Sequence, residues 1–443
     1  MERFVNILFV LLMAAFVLEF SLGVRISNIP GLSLKNIVLY GLIVSLFVVN
    51  MMRNKPVIAP NAVNVPIVLF IVYCLFSMLA TALMKVVPNY SILPQLIFIK
   101  TYMDPFVLFV LAYSILHDEE SIKKLLFSMV VLLVVFLAIT ALSAFDIVSV
   151  ERATVDEKWG RSKGAFAEPN QFAAYLAAFV PLVLAFIFTS TKKVKKIIYT
   201  IVLVLTIFVL LLTGSRGGLV SLAASIGVYY VLHSKQPIMK SIFNLVGVYS
   251  VAFVGLVLIF FLLPENTASG LMLKISGEFV ENSNTDYTSG RLSIWTRALE
   301  AFIYSPIFGT GWQTFIPLFG ANSHSDYILF LVTTGVVGLG LFLSIFYAMF
   351  KEVMKWRSKD DCYSHFYNSY IGGLAAFMVS MLFVNIYNPT YFIMLYSALI
   401  LRLGVLAAGR ANNDKSDRPD KYDEKAENLI IDTNTRYKSV ELK

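Results

Sequence analysis

Apolar residues along this chain gather into long runs separated by short polar segments. Most runs are about 16–24 residues long, enough to cross a ~30 Å hydrocarbon core at 1.5 Å per residue. Read by length and hydropathy, they predict about twelve spans. These are Phe4–Val24, Ser33–Met52, Pro66–Met84, Leu96–Leu116, Leu125–Phe145, Gln171–Thr189, Ile197–Leu212, Leu219–Leu232, Ile242–Leu263, Tyr327–Phe350, Tyr370–Ile386 and Tyr391–Leu406. The first run is too long for a signal-peptide core and lacks an A-x-A-like cleavage site, so it is read as a retained span. The expected fold is an all-α polytopic membrane protein.

The polar segments orient this bundle. With the N-terminus inside, Lys123-Lys124, the lysines from Lys192 to Lys196, Lys235 and the stretch Lys351–Lys359 all face the cytoplasm, as the positive-inside rule requires. Both termini are then cytoplasmic. Three segments remain outside: Asp146–Asn170, the tight break Gly214–Gly218, and the long stretch Pro264–Asp326. The expected organisation is spans one to nine over 1–263, one large extracytoplasmic loop over 264–326, spans ten to twelve over 327–409, and a polar tail over 410–443.

Composition agrees. Hydrophobic residues make up 58% and charged residues 14%, which excludes a water-soluble globule and a disordered chain. The tail from Arg410 onward holds eight basic and eight acidic residues, so the net charge of +8 resides in the membrane portion. Topology accounts for that excess better than nucleic-acid binding does. Two cysteines and four scattered histidines give no disulfide framework and no metal-ligand spacing.

The two faces differ in the kind of cation they carry. Inner loops are dominated by lysine, which suffices for topology, whereas outer segments are rich in arginine, whose planar fork matches phosphate or carboxylate. Arg216 is the strongest single site. Only 36 residues separate Lys196 from His233, fewer than two full spans of about 20 residues require. Gly214-Ser215-Arg216-Gly217-Gly218 therefore sits at or below the outer surface. Ser215 and Gly217 belong to the same candidate site, because successive N–H groups beside glycines can cradle an anion. An arginine snorkelling to headgroups is the plainer alternative.

In the long loop, Leu292, Trp295, Leu299 and Phe302 recur at helical spacing. They predict an amphipathic helix from Arg291 to Tyr304 that ends at Pro306. Arg291 in its first turn suits an anion. Arg297 is either a substrate ligand or a headgroup contact. His324, in Asn322-Ser323-His324-Ser325-Asp326-Tyr327, precedes a span that Ser325 or Asp326 would cap, and it can act as base, acid or donor near neutral pH. Asp326 is itself a candidate ligand. Arg161 opens a segment that ends in Glu168 and Asn170, which either read sugar hydroxyls or cap the next helix. Lys100 and Asp104 fit an internal ion pair. The turn Asn385–Tyr391 suits either sugar contact or an interfacial aromatic belt.

The outer segments contain no D-x-D pair, no HExxH and no Cys/His cluster, and no P-loop exists anywhere in the chain. No metal site and no cofactor are expected.

The residues resemble the bacterial O-antigen ligase and O-antigen polymerase family. The resemblance rests on Arg161 through Asn170, the Gly214–Gly218 break, the helix from Gly290-Arg291 to Pro306 with Gly309-Thr310-Gly311-Trp312, and Ser323-His324-Ser325-Asp326-Tyr327 leading to Gly335. Where the family pattern has Asn after the histidine, this chain has Ser325. The resemblance implies a metal-independent glycosyltransferase whose donor is an undecaprenyl-diphosphate-linked oligosaccharide and whose site lies on the extracytoplasmic side of the cytoplasmic (inner) membrane. It implies that Arg216 and Arg291 hold the diphosphate and that His324 stands near the acceptor hydroxyl. Polymerisation of surface polysaccharide repeat units is preferred over ligation to a lipid or other acceptor. A flippase and a chain-length regulator are candidate partners. The reading from another class is a secondary transporter or flippase of lipid-linked saccharide. Arginines clustered at the outer end and the asymmetric loop weigh against it.

Overall fold

A computed structural model describes residues 2–21, 33–88, 90–144, 155–156, 161–164, 166, 168–234, 236–237, 239–247, 291–358 and 362–416. Its helices follow the apolar runs in order: α1 Glu2–Phe16, α2 Leu34–Met52, α3 Asn64–Met84, α4 Ile92–Ile115, α5 Glu119–Ala144, α6 Pro169–Thr189, α7 Lys193–Leu212 and α8 Arg216–His233. After a short helical stretch at 239–247 come α9 Arg291–Tyr304, α10 Phe315–Phe319, α11 Asp326–Arg357, α12 Ser364–Ser380 and α13 Tyr387–Ser416. A two-stranded antiparallel pair, β1 Val155–Asp156 with β2 Arg161–Ser162, precedes α6.

Eight helices among the described residues are long and apolar enough to cross a membrane, against about twelve expected from hydropathy. Of the other four runs, α1 spans 15 residues before a π-helical turn at Val17–Ser21. The second, α8, has 18 residues bounded by Arg216 and His233, and the third, α12, has 17. The predicted span Ile242–Leu263 lies largely outside the described residues, as do 264–290 of the long loop and 417–443 of the tail. The last span was expected to end at Leu406 but continues helically to Ser416. Ala407, Ala408 and Ala411 favour that continuation.

Helix ends meet at two poles. At one, Asn6 Nδ2 donates to Ser121 Oγ (3.0 Å), Arg402 Nε to the Leu116 carbonyl (2.6 Å), Arg357 to the Leu232 carbonyl (2.7 Å) and Arg410 to Glu119 (2.9 Å). This pole carries the lysine-rich loops and both ends of the described chain. The opposite pole joins the starts of α6, α8, α11 and α13 to the end of α12. Between the poles lies a core of aromatic rings that includes Phe136, Phe166, Tyr175 and Phe392.

Small residues decide how closely the central helices approach. A Cβ on Gly373 would lie 2.5 Å from the Ala178 carbonyl oxygen, and one on Gly372 would lie 2.8 Å from the Ser225 oxygen. Helices α6, α8 and α12 therefore touch backbone to backbone, as membrane helices do where side chains are absent.

One helix is bent at a glycine. Gly335 in α11 has φ 67° and ψ −173°, a conformation open essentially to glycine alone. The carbonyls freed at the bend are taken up from outside the helix. Thr310 N–H donates to Val332 (2.8 Å), Gly311 N–H to Thr333 (2.8 Å) and the Tyr73 hydroxyl to Thr334 (2.7 Å). Gly309-Thr310-Gly311 is thus a backbone patch fitted to a kinked helix.

Candidate active site

The Gly214–Gly218 break is built for close packing. Gly214 turns the chain at φ 59°, and Ser215 caps α8 by accepting the Gly218 N–H at 3.1 Å. A Cβ on Gly217 would lie 2.7 Å from Phe383 Cβ, and one on Gly218 would lie 2.5 Å from Ala173 Cβ. These glycines let α8 seat against α6 and the end of α12, which leaves Arg216 as the exposed first residue of its helix. Ser215 is buried and occupied by the cap.

The segment before α6 is anchored by Phe166, 3% exposed among the core rings. Gly164 turns at φ 53°, where a Cβ would strike the Phe172 ring. Pro169 opens α6 with Glu168 at the N-cap position, yet the Glu168 side chain makes no cap hydrogen bond. Its carboxylate acts on Arg291 instead. That weighs against the capping alternative for Glu168. Asn170 lies half-buried in the first turn of α6. For Arg161 the structure describes only backbone, paired with Asp156.

Arg291 begins α9 half-buried. Burial lowers its pKa, the Glu168 carboxylate opposes that shift, and the Arg216 guanidinium adds to it. Two arginines about 75 positions apart in the chain thus share one electrostatic environment with an acid from a third segment. The helix has three faces. Ile294, Trp295, Ala298 and Phe302 pack inward around Phe315 and Val332. Leu292, Leu299 and Ile303 form an exposed apolar edge, and Ser293, Thr296, Arg297 and Glu300 an exposed polar one. The periodicity grouped Leu292 and Leu299 with Trp295 and Phe302 on one apolar arc. The apolar arc is wider than the protein contact, and the close approach falls on small Ala298. Arg291 shares the inward face; Arg297 points away from it.

His324 is held in the left-handed region at φ 51°, which costs a non-glycine residue about 1–3 kcal/mol. Its neighbours fix it there. Trp295 Nε1 donates to the Ser323 carbonyl (2.7 Å), Asn385 Nδ2 to Ser323 Oγ (2.9 Å) and Ser325 Oγ to the Met381 carbonyl (3.1 Å). Ser325 also caps α11. Burial lowers the His324 pKa from its usual value, and Arg291 lowers it further. The imidazole is therefore neutral at pH 7 and can accept a proton.

Asp326 does not face this site freely. It is buried, with one carboxylate oxygen accepting from Asn385 Nδ2 (3.0 Å) and the other from the Ile386 N–H (3.0 Å). It fastens the start of α11 to the break between α12 and α13, where Gln171 Nε2 also donates to the Asn385 carbonyl (3.0 Å). Asn385, Gln171 and Trp295 are thus the positioning residues that sequence reasoning missed. The signal for Asn385 is the amide-rich Asn385–Tyr391 turn, which the sequence leaves open between sugar contact and an aromatic belt. Lys100 and Asp104 form the expected ion pair at 2.7 Å.

Among the described residues, no three His, Cys, Asp or Glu side chains form a metal-binding group. The arrangement offers two guanidiniums, a carboxylate and a neutral imidazole at one pole of a membrane bundle. An anionic leaving group and a hydroxyl nucleophile suit that set.

No curated protein matches the chain. A family model described as O-antigen ligase matches residues 201–343, about a third of the chain and the stretch that carries Arg216, Arg291, His324 and the Gly335 bend.

Proposed function

We propose that this protein is a metal-independent glycosyltransferase that uses an undecaprenyl-diphosphate-linked oligosaccharide and polymerises surface polysaccharide repeat units. The observation that carries the reading is that Arg291 lies under the influence of the Arg216 guanidinium and the Glu168 carboxylate and itself acts on His324, groups drawn from separate segments. Breaking a sugar–diphosphate bond builds negative charge on the departing phosphate. Fixed cations stabilise that charge, each preorganised donor contributing about 3 kcal/mol. Arg216 and Arg291 supply them, and Glu168 holds Arg291 against the repulsion of its neighbour. His324 accepts the proton of the attacking hydroxyl, which bonds to the anomeric carbon as the carbon–oxygen bond to the diphosphate breaks.

The lysine-rich opposite pole supports a cytoplasmic location for that end and, with it, an extracytoplasmic location for Arg216, Arg291 and His324. The exposed apolar edge of α9 suits a helix lying at the bilayer surface. The description of the matched family model favours a second reading, ligation of the glycan to a lipid acceptor.

Deletion of the gene followed by sizing of cell-surface polysaccharide separates the two. Residual single repeat units indicate polymerisation. Long lipid-linked chains that fail to reach their acceptor indicate ligation, and an unchanged surface glycan overturns both. Transfer by the purified protein should persist in a chelator; loss of activity restored by a divalent ion contradicts the metal-free chemistry.

A further inference from the structure

Between Glu300 and Asp326 the chain contains no Asp, Glu, Lys or Arg, although hydropathy assigns this stretch to a loop outside the membrane. The structure sets its first part against α3. That helix leaves the lysine-rich pole, where the Ala59 N–H just before it donates to Ser114 Oγ (3.0 Å), and ends at the arginine pole. Its 21 residues carry no charge before Lys85 and extend about 31 Å, the thickness of a hydrocarbon core. Met84 therefore stands near the edge of the apolar layer.

The segment after α9 meets α3 below that edge. A Cβ on Gly311 would strike the Thr81 side chain, one turn before Met84. The Phe308 carbonyl oxygen lies 3.5 Å from the hydroxyl of Tyr73, a residue three turns, or about 16 Å, before Met84. On its other side the segment is held by α11. The Val336 and Val337 N–H groups donate to the Pro306 and Ile307 carbonyls at 3.0 and 3.4 Å.

Two features suit this depth. The large side chains left exposed are Ile303, Tyr304, Ile307 and Phe308, and the helices that hold the segment also expose apolar residues here, Phe76 and Leu79 on α3 and Val336 and Val337 on α11. The irregular backbone is also tied down. Gly309 N–H donates to the Ser305 carbonyl (2.9 Å), Thr310 and Gly311 N–H to α11, and Thr314 Oγ1 to the Gly311 carbonyl (2.7 Å). Non-helical backbone persists at membrane depth only where protein supplies such partners, whereas a loop in water needs none of them.

We propose that residues 303–312 form a re-entrant segment whose Ile303, Ile307 and Phe308 side chains seat among lipid acyl chains, in the leaflet at the arginine pole. Lipid is the occupant because the surface continues the exposed apolar faces of two spans. The helix that begins with Arg291 is thereby anchored in the bilayer at its far end, whatever reaction the arginines serve.

The test uses the full-length protein in phosphatidylcholine nanodiscs, with or without bromine on the acyl chains. Cys362 is exposed and Cys74 buried, so the background is Cys362→Ser. A bimane label is placed at Phe308→Cys, at Ile303→Cys, at Phe76→Cys as the span reference and at Arg297→Cys as the polar reference. Brominated chains should quench emission at 308 and 303 as much as at 76, and aqueous iodide should quench only 297. The label at 303 keeps the test open if the 308 variant fails to fold. Iodide quenching at 303 and 308 equal to that at 297 overturns the proposal by placing the segment in water. Protection from both quenchers overturns it too, by showing that protein covers the surface; cross-linking between labelled copies then identifies a second copy as the cover.

Discussion

Arg216→Gln separates the catalytic use of this arginine from any structural use. The side chain is exposed at the first turn of α8, and the packing of that turn is carried by Gly217, Gly218 and the Ser215 cap. Its electrostatic action on Arg291 is repulsive. Loss of the charge should therefore leave folding unharmed and relieve a solvent-screened repulsion of at most a few tenths of a kcal/mol. Catalysis should respond oppositely. Removing one preorganised donor from a developing anion costs about 2.7–4 kcal/mol, or roughly 100–1,000-fold in kcat.

The assay is glycan transfer by purified protein in nanodiscs, read as product ladders, with thermal unfolding recorded on the same samples. Inorganic pyrophosphate should raise the wild-type midpoint and leave that of Arg216→Gln unmoved. Arg216→Lys, which keeps the charge without the planar fork, should retain the fold and lose most of the transfer. Turnover of Arg216→Gln within about threefold of wild type would refute the reasoning, since that corresponds to less than 1 kcal/mol. An equal pyrophosphate shift in both proteins would refute it independently.

Transfer should rise with pH along a limb whose midpoint lies below the ordinary histidine value, because neutral His324 is the working form and its pKa is lowered by burial and by Arg291. Removing the positive charge with Arg291→Gln should move the His324 titration, followed by NMR, to higher pH; an unmoved titration would break the link between the two residues. Gly335→Ala should destabilise the protein by about 3 kcal/mol or more, because φ 67° excludes alanine and a Cβ would sit 2.1 Å from the Ile307 carbonyl oxygen. A wild-type unfolding midpoint for that variant would refute the bend. Asp326→Ala should cost roughly 1–3 kcal/mol by leaving the Ile386 N–H unpaired. It should lower kcat more than it raises donor KM, and a change confined to KM would make Asp326 a substrate ligand instead.

Much of the architecture could be read from sequence because a bilayer demands long apolar runs with internally paired backbones, and such runs announce themselves in hydropathy. The core of each predicted run within the described residues is helical. Helix ends were less legible. Hydropathy extended the eleventh span to Ile386, but α12 stops at Ser380. The Met381 carbonyl accepts from the Asp326 N–H (2.9 Å) and from Ser325 Oγ, partners 55 or so positions away that no local pattern reveals.

For the site, the sequence by itself supplied the residue types: arginines in glycine-rich or first-turn settings, and a histidine before a span. Arginine is expensive to place within the depth of a membrane and so stands out in a break too short to protrude. Only the tertiary structure decided which of these residues share a place. It brought Arg216, Glu168 and His324 each within the influence of Arg291 and turned Arg297 outward. It also assigned Asp326 to fastening the helix ends that hold His324. Spacing along a chain fixes which face of a helix a residue occupies, whereas convergence depends on which faces pack. That was settled by glycines at 217, 218, 372 and 373, whose missing side chains allow the contact.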